Sequence, residues 1–182
     1  ATEEGGFHES MNLARVLDAP VLFVCENNMF SSHLHISLRQ PTNSVARYAT
    51  AHGIPSETVD GNDVAAVSTA AERALTFMRS GGGPFMLECV TYRWRGHVGH
   101  REDDDVGVQR KGDLALWKGR DPIARLVAGL QLRDLFPAHV LQEMDAKICG
   151  EVDRAWAEAL KDPYPEPNEL LSRVYTQTRE RQ

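Results

Sequence analysis

Two asparagines close the apolar run of Val21-Leu22-Phe23-Val24-Cys25-Glu26-Asn27-Asn28-Met29-Phe30, and their position raises a question of chemistry. Asparagine is a poor strand residue and needs hydrogen-bond partners when buried, so its place at such an end asks for a reason. One reason is conformational, because Asn tolerates turns and stops a strand. The other is a ligand. Magnesium takes hard oxygen donors in an octahedron, few of them from protein and several from phosphate and water. The side-chain oxygen of Asn28 and the backbone carbonyl of Phe30, two residues on, could supply two. His97 lies between Gly96 and Gly99 after a second apolar run, where an imidazole can act as acid, base or positioning group. His33 and His35 share a face if their segment is extended, which suits a zinc pair or two surface histidines; no third ligand is evident from spacing. Asp103, Asp104 and Asp105 could bind a cation or form part of a solvated loop. Val59-Asp60-Gly61-Asn62-Asp63 reads first as a strand-to-helix turn.

The elements that must position these residues alternate along the chain. Phe7, Met11, Ala14 and Leu17 recur at helical spacing, with Thr2 as a candidate cap and Glu3 and Glu4 suited to the positive helix end. Val21 to Cys25 is a short, wholly apolar run, as expected for a strand covered on both faces. Residues 44–52 look helical and Gly53 stops them. Ser56 to Gly61 gives a strand and turn. Asn62 or Asp63 then caps a helix whose stripe is Val64, Val67, Ala71, Ala74, Leu75 and Met78, ended by Gly81-Gly82-Gly83-Pro84. Residues 85–92 form a third apolar strand. This β-α-β-α-β order predicts an α/β fold with a doubly wound, mostly parallel sheet. Ligands in such sheets bind beyond the carboxyl ends of the strands. Asn27-Asn28 and Tyr92-Arg93 both stand at such ends.

Residues 94–120 lose periodicity. Their glycines, and the four adjacent acids Glu102 to Asp105, predict a mobile active-site loop. It is expected to order, and to place His97, only with a cofactor and partner. Helices resume near Asp121-Pro122, with Ile123, Leu126, Val127 and Leu130 on one side. A longer helix carries Leu141, Met144, Ile148, Val152, Ala155 and Ala159. The organisation expected is one partial domain: an α/β cofactor half over 1–93, the loop over 94–120, and a helical region over 121–182.

The 182 residues are 42% hydrophobic with a net charge of −6, which fits one acidic domain and argues against a nucleic-acid role. No apolar run reaches the roughly 18 residues of a membrane helix. Cys25, Cys89 and Cys149 are odd in number and widely spaced, with no paired motif. Cys25 and Cys89 lie in apolar runs and read as buried free thiols of a cytoplasmic protein.

Five segments, Glu3 to Ala14, Pro20 to Asn28, Val59 to Val64, Gly83 to His97 and Asp121 to Leu126, follow in the order seen in one family. The chain resembles the alpha subunit of the first component of 2-oxo acid dehydrogenases, of pyruvate, acetoin or branched-chain type. The resemblance runs over essentially residues 1–178. It implies a thiamine diphosphate cofactor with Mg2+, and oxidative decarboxylation of a small 2-oxo acid with acyl transfer to a lipoyl group. The implied partners are a beta subunit, which brings the carboxylate that activates the cofactor, and a lipoyl-bearing acyltransferase.

By the same resemblance, Asn28 matches the side-chain magnesium ligand and Phe30 the residue giving its carbonyl. Ala1 would lie beside the diphosphate through its backbone, and His97 matches the loop histidine that reaches the active site. The family's Gly-Asp-Gly, with the third ligand, directly precedes the position of Ala1. The chain is therefore expected to be a C-terminal half, inactive alone. In some members Ser follows the histidine and is phosphorylated; here Val98 stands there. The family's Tyr-Arg pair after the acidic loop is replaced by Val108-Gln109-Arg110. A self-associating half-domain without catalysis is the rival expectation.

Overall fold

The computed structural model describes residues 1–99 and 112–170. In chain order the elements are α1 (Gly5–Val16), β1 (Leu22–Asn27), β2 (Phe30–Ser31), β3 (Leu34–His35), α2 (Ala46–Ala51), β4 (Ser56–Asp60), α3 (Val64–Phe77), β5 (Phe85–Val90), α4 (Asp113–Lys118), α5 (Pro122–Gln131) and α6 (Ala138–Ala159). The fold is α/β with a parallel sheet. Strands β1, β5 and β4 lie in that order, both pairings parallel. Asn27 and Asp60 both pair with Val90, so the three carboxyl ends finish in one row.

Central β5 explains the layers. Met86 and Leu87 point to opposite sides, and both are buried. Met86 joins Met11 of α1 and Ala49 of α2 in one core, with Ile36, Val45 and Ile54. Leu87 joins Ala70 of α3 and Cys89 in another. Helices thus cover both faces. The sequence predicted β1 to be covered on both sides as well. Instead it is an outer strand, and Val24 is 56% exposed.

Local chemistry sets the element ends. Glu4, not Thr2, stands at the N-cap of α1, and no side chain caps that helix. Leu17, expected on its buried face, falls beyond the last helical residue and is exposed. Asp63 is the cap of α3, its Oδ1 accepting from the Ala66 amide at 3.0 Å. On α3 the most buried positions are Ala70 and Ala74, while Val64 is exposed. Asp121 caps α5 by accepting from the Ile123 and Ala124 amides, with Pro122 at the first turn. Gly61 is required by closeness: its amide donates to the Val90 carbonyl at 2.8 Å, and a Cβ there would lie 2.9 Å from that oxygen.

Two compact units divide after Leu132, twelve residues later than the expected boundary at 120. Within the stretch expected to be loop, α4 forms over Asp113–Lys118. Its signal was missed because six residues are too short for a helical stripe. Residues 94–99 are placed. The acidic run at Asp103 to Asp105 and Val108-Gln109-Arg110 lie outside the described residues. The second unit contains α6, 22 residues long, which carries Leu141, Met144, Ile148 and Val152 as expected. Among the described residues no helix is long and apolar enough to cross a membrane.

Candidate functional site

A cavity of about 410 Å³ opens at the end of β1 and is lined by Ala1, Asn28, Phe30, Arg39, Arg93 and His97, among others. All four residues proposed from the sequence, Ala1, Asn28, Phe30 and His97, therefore border one space. The route from sequence to site starts where β1 stops. Asn27 is buried; its Nδ2 donates to Glu88 Oε1 at 2.8 Å and to the Asn43 carbonyl at 2.9 Å. Its Oδ1 accepts from the Met29 amide at 3.3 Å. Met29 has φ 69°, a left-handed conformation that a side-chain-bearing residue adopts only when held there. The chain then turns back, and the Phe30 amide donates to Asn28 Oδ1 at 3.1 Å. An amide oxygen has two lone pairs, so Asn28 keeps one for a ligand.

Phe30 enters the β2–β3 hairpin opposite His35, and its ring is buried. It meets Tyr92 edge-on at 5.4 Å, and Tyr92 stacks on Trp117 of α4 at 5.6 Å. The missed helix α4 thus helps to wedge the turn.

The cavity is cationic along one side. Arg93 donates to the Ser32 carbonyl at 2.6 Å and lies 5.5 Å from the Phe30 ring centroid. Its NH1 is 3.5 Å from His97 Nδ1. The His97 ring also meets His33 edge-on at 6.3 Å. His97 thus lines the cavity, while residues 100–111 of the segment expected to be mobile lie outside the described residues. Arg39 pairs with Glu3 and donates to the Leu34 carbonyl; burial pushes its pKa below the usual arginine value. Glu26 also lines the cavity and offsets part of this positive charge.

Other candidates resolve differently. Cys25 lines the cavity, but burial, then the Glu88 charge and Cys89, push its thiol up to about 11. It is a poor nucleophile at neutral pH. His35 Nδ1 is 2.8 Å from the Ser37 hydroxyl and His33 Nδ1 is 3.1 Å from that of Ser32. Among the described residues no group of three His, Cys, Asp or Glu side chains could hold a metal ion. A cation in the cavity would then use the neutral oxygens of Asn28 and Phe30 and an anionic ligand of its own. That donor set fits magnesium with a phosphate group, and the two guanidinium groups suit the same anion.

The Val59–Asp63 turn is a junction rather than a cation site. Asp60 accepts from Arg120 at 2.8 Å and Arg125 at 2.9 Å. Burial pushes its carboxyl up, but hydrogen bonds from Arg120, the Asn62 amide and Arg125 reverse this and hold it below the ordinary range. Asn62 accepts from Thr91 at 2.7 Å and donates to the Arg120 carbonyl at 2.8 Å, tying the end of β5 to the chain leading into α5.

Sequence reasoning missed Arg39, Met29 and Glu88. Only Glu88 left a signal, as a lone charge inside an apolar strand.

The profile of the family described as dehydrogenase E1 component matches residues 1–168. The chain is 35% identical to the alpha subunit of acetoin:2,6-dichlorophenolindophenol oxidoreductase from Bacillus subtilis (strain 168), over 96% of this chain and 51% of that protein. It is 31% identical to the 2-oxoisovalerate dehydrogenase subunit alpha of the same organism, over 96% of this chain and 52% of the relative. With the pyruvate dehydrogenase E1 component subunit alpha of Rhizobium meliloti (strain 1021) it shares 31% identity, over 96% of this chain and 49% of that one. The chain spans about half the length of these curated relatives.

Proposed function

Because the chain belongs to the dehydrogenase E1 component family, we propose that it supplies one wall of the diphosphate site in a thiamine diphosphate- and Mg2+-dependent 2-oxo acid dehydrogenase. The observation that carries this reading is the meeting of Ala1, Asn28, Phe30 and His97 around one cavity. In this reading the three strands are part of a doubly wound sheet, and the chain corresponds to the C-terminal half of an alpha subunit. The rest of the alpha subunit and the beta subunit complete the site, and a lipoyl-bearing acyltransferase receives the acyl group. The setting is cytoplasmic, which suits three cysteines that are free thiols.

Asn28 Oδ1 and the Phe30 carbonyl would hold Mg2+, and Arg39 and Arg93 would face the phosphate charge that the ion bridges. Ala1 would approach the diphosphate through its backbone. When bound, thiamine diphosphate supplies the carbanion and the electron sink for decarboxylation of the 2-oxo acid. His97 would present its imidazole to the cavity it lines, beside Arg93. Residues 94–120 act as the active-site segment in this proposal. A second reading, an acetoin-type dehydrogenase, is favoured by the 35% identity to an acetoin oxidoreductase subunit.

The test is a substrate-by-cofactor assay on the complete alpha subunit that contains this chain, assembled with its beta subunit. Carbon dioxide release from pyruvate and from 3-methyl-2-oxobutanoate is measured beside dye reduction by acetoin. The expected result is turnover of one of them that needs both thiamine diphosphate and Mg2+. An assembly that binds neither cofactor nor Mg2+ would overturn the proposal.

A further inference from the structure

Glu88 is outside the cavity wall yet joined to it. Its side chain is fully buried at 0% exposure. Five donors converge on the carboxylate. Asn27 Nδ2 and the Val45 amide reach Oε1, each at 2.8 Å. The Ala46 amide at 2.9 Å, the Ser44 hydroxyl at 3.1 Å and the Thr58 hydroxyl at 3.2 Å reach Oε2. None of the five is a cation, so dipoles alone replace the water that a buried charge loses.

Three of these donors tie the start of α2 to β5, and the Thr58 hydroxyl adds a side-chain link between β4 and β5. The fifth does something else. A carboxylate accepts and does not donate, so Asn27 must turn its NH2 toward Glu88, and the Asn43 carbonyl makes the same demand. The amide orientation is thereby settled, and Oδ1 faces the Met29 amide. Met29 is the left-handed residue between Asn28 and Phe30.

We infer that Glu88 is a positioning residue: through Asn27 it holds Met29 in its left-handed conformation, and so sets the Asn28 oxygen and the Phe30 carbonyl at the cavity. The consequence for cation binding rests on the function proposed above. The link from Glu88 to the turn does not, because it stands on the hydrogen bonds.

Amide hydrogen exchange on the full 182-residue chain tests the link without metal. In Asn27→Ala, exchange at Met29 and Phe30 is expected to speed up about tenfold, the factor for one hydrogen bond of ordinary strength, and in Glu88→Gln, which keeps one acceptor oxygen, by less. Ser44→Ala removes another Glu88 donor and is expected to leave both amides unchanged. Asn27→Ala keeps the bonds from Glu88 to α2 and β4, so it decides the matter if Glu88→Gln does not fold. Unchanged exchange in Asn27→Ala would overturn the inference, as would equal acceleration in Ser44→Ala.

A second readout is Mn2+ affinity, by electron paramagnetic resonance, of the complete alpha subunit containing this chain, assembled with its beta subunit and thiamine diphosphate. Asn27→Ala is expected to weaken it about tenfold, and adding Met29→Gly, which makes the left-handed turn easy, to restore most of the loss. A loss that glycine does not restore counts against positioning through Met29. A parent assembly that binds no Mn2+ sinks the cation reading, while the exchange result still decides the role of Glu88.

Discussion

Asn28 offers an oxygen and no charge, so its value to a cation is geometric. Asn28→Ala removes that oxygen, and with it the acceptor of the Phe30 amide, while the backbone pairing of β1 with β5 stays. On the function proposed above, the complete assembled enzyme with this variant is expected to lose about a hundredfold or more in Mg2+ affinity, read as the Mg2+ dependence of turnover, with partial recovery at high Mg2+. The thiols give a second residue-scale outcome. Cys149 is exposed, Cys89 is buried, and Cys25 has its pKa raised to about 11. Iodoacetamide at pH 7.5 is expected to label Cys149 first, with Cys25 and Cys89 following slowly and faster as the pH is raised. Rapid labelling of Cys25 at pH 7.5, seen by peptide mass spectrometry, would contradict the assigned environment. Glu88 supplies a third. Burial pushes its carboxyl up, while the Val45 and Ala46 amides, Asn27 and Ser44 bring it down further, leaving it below the ordinary glutamate value. A depressed folded pKa stabilises the fold above the unfolded value of about 4.3, and that contribution is lost as pH falls through the folded value. The stability gap between parent and Glu88→Gln is therefore expected to narrow below about pH 4.3, measured by urea unfolding across pH.

At the scale of elements, the close approach of β4 to β5 depends on one missing side chain. A Cβ on Gly61 would lie 2.9 Å from the Val90 oxygen and 3.0 Å from the Cys89 carbonyl carbon, both backbone atoms that cannot swing aside. Gly61→Ala is expected to cost about 1–3 kcal/mol, with the denaturant midpoint falling accordingly. An unchanged midpoint would mean that the two strands part without cost. The Asp63 cap is a milder case: Asp63→Ala removes one acceptor from the first turn of α3 and is expected to cost about 1 kcal/mol. The contrast follows from what each change touches. One pushes two strands apart, and the other leaves an amide near water.

For the whole molecule, the outer face of β1 and its approach from α1 expose apolar surface. Val16 is 71% exposed, Leu17 65% and Val24 56%. Beside an outer strand with a free edge among the described residues, such surface favours pairing. The 182-residue chain is expected to associate, with a sedimentation coefficient that rises with concentration; a strict monomer at both low and high concentration would count against this. The same chain, without a beta subunit, is expected to bind magnesium thiamine diphosphate weakly, because only part of the cavity wall is its own. Calorimetry showing a micromolar or tighter constant, about 8 kcal/mol of binding, would contradict that.

The sequence by itself determined the alternation of strands and helices and the parallel sheet, because hydrophobic periodicity and turn residues are local properties. It also named Asn28, Phe30 and His97, through position at strand ends and through resemblance. Only the tertiary structure decided that these residues border one cavity with Arg39 and Arg93, residues from three separate segments. Only it made β1 an outer strand and β5 the central one, since strand order is a matter of pairing partners that no local pattern states. The short helix α4 was invisible because its stability comes from Trp117 stacking on Tyr92, a contact across 25 positions of chain. Glu88 shows the limit most plainly. Its charge in an apolar strand was legible, but its five donors come from β1, β4 and the start of α2, and only folding brings them to one carboxylate.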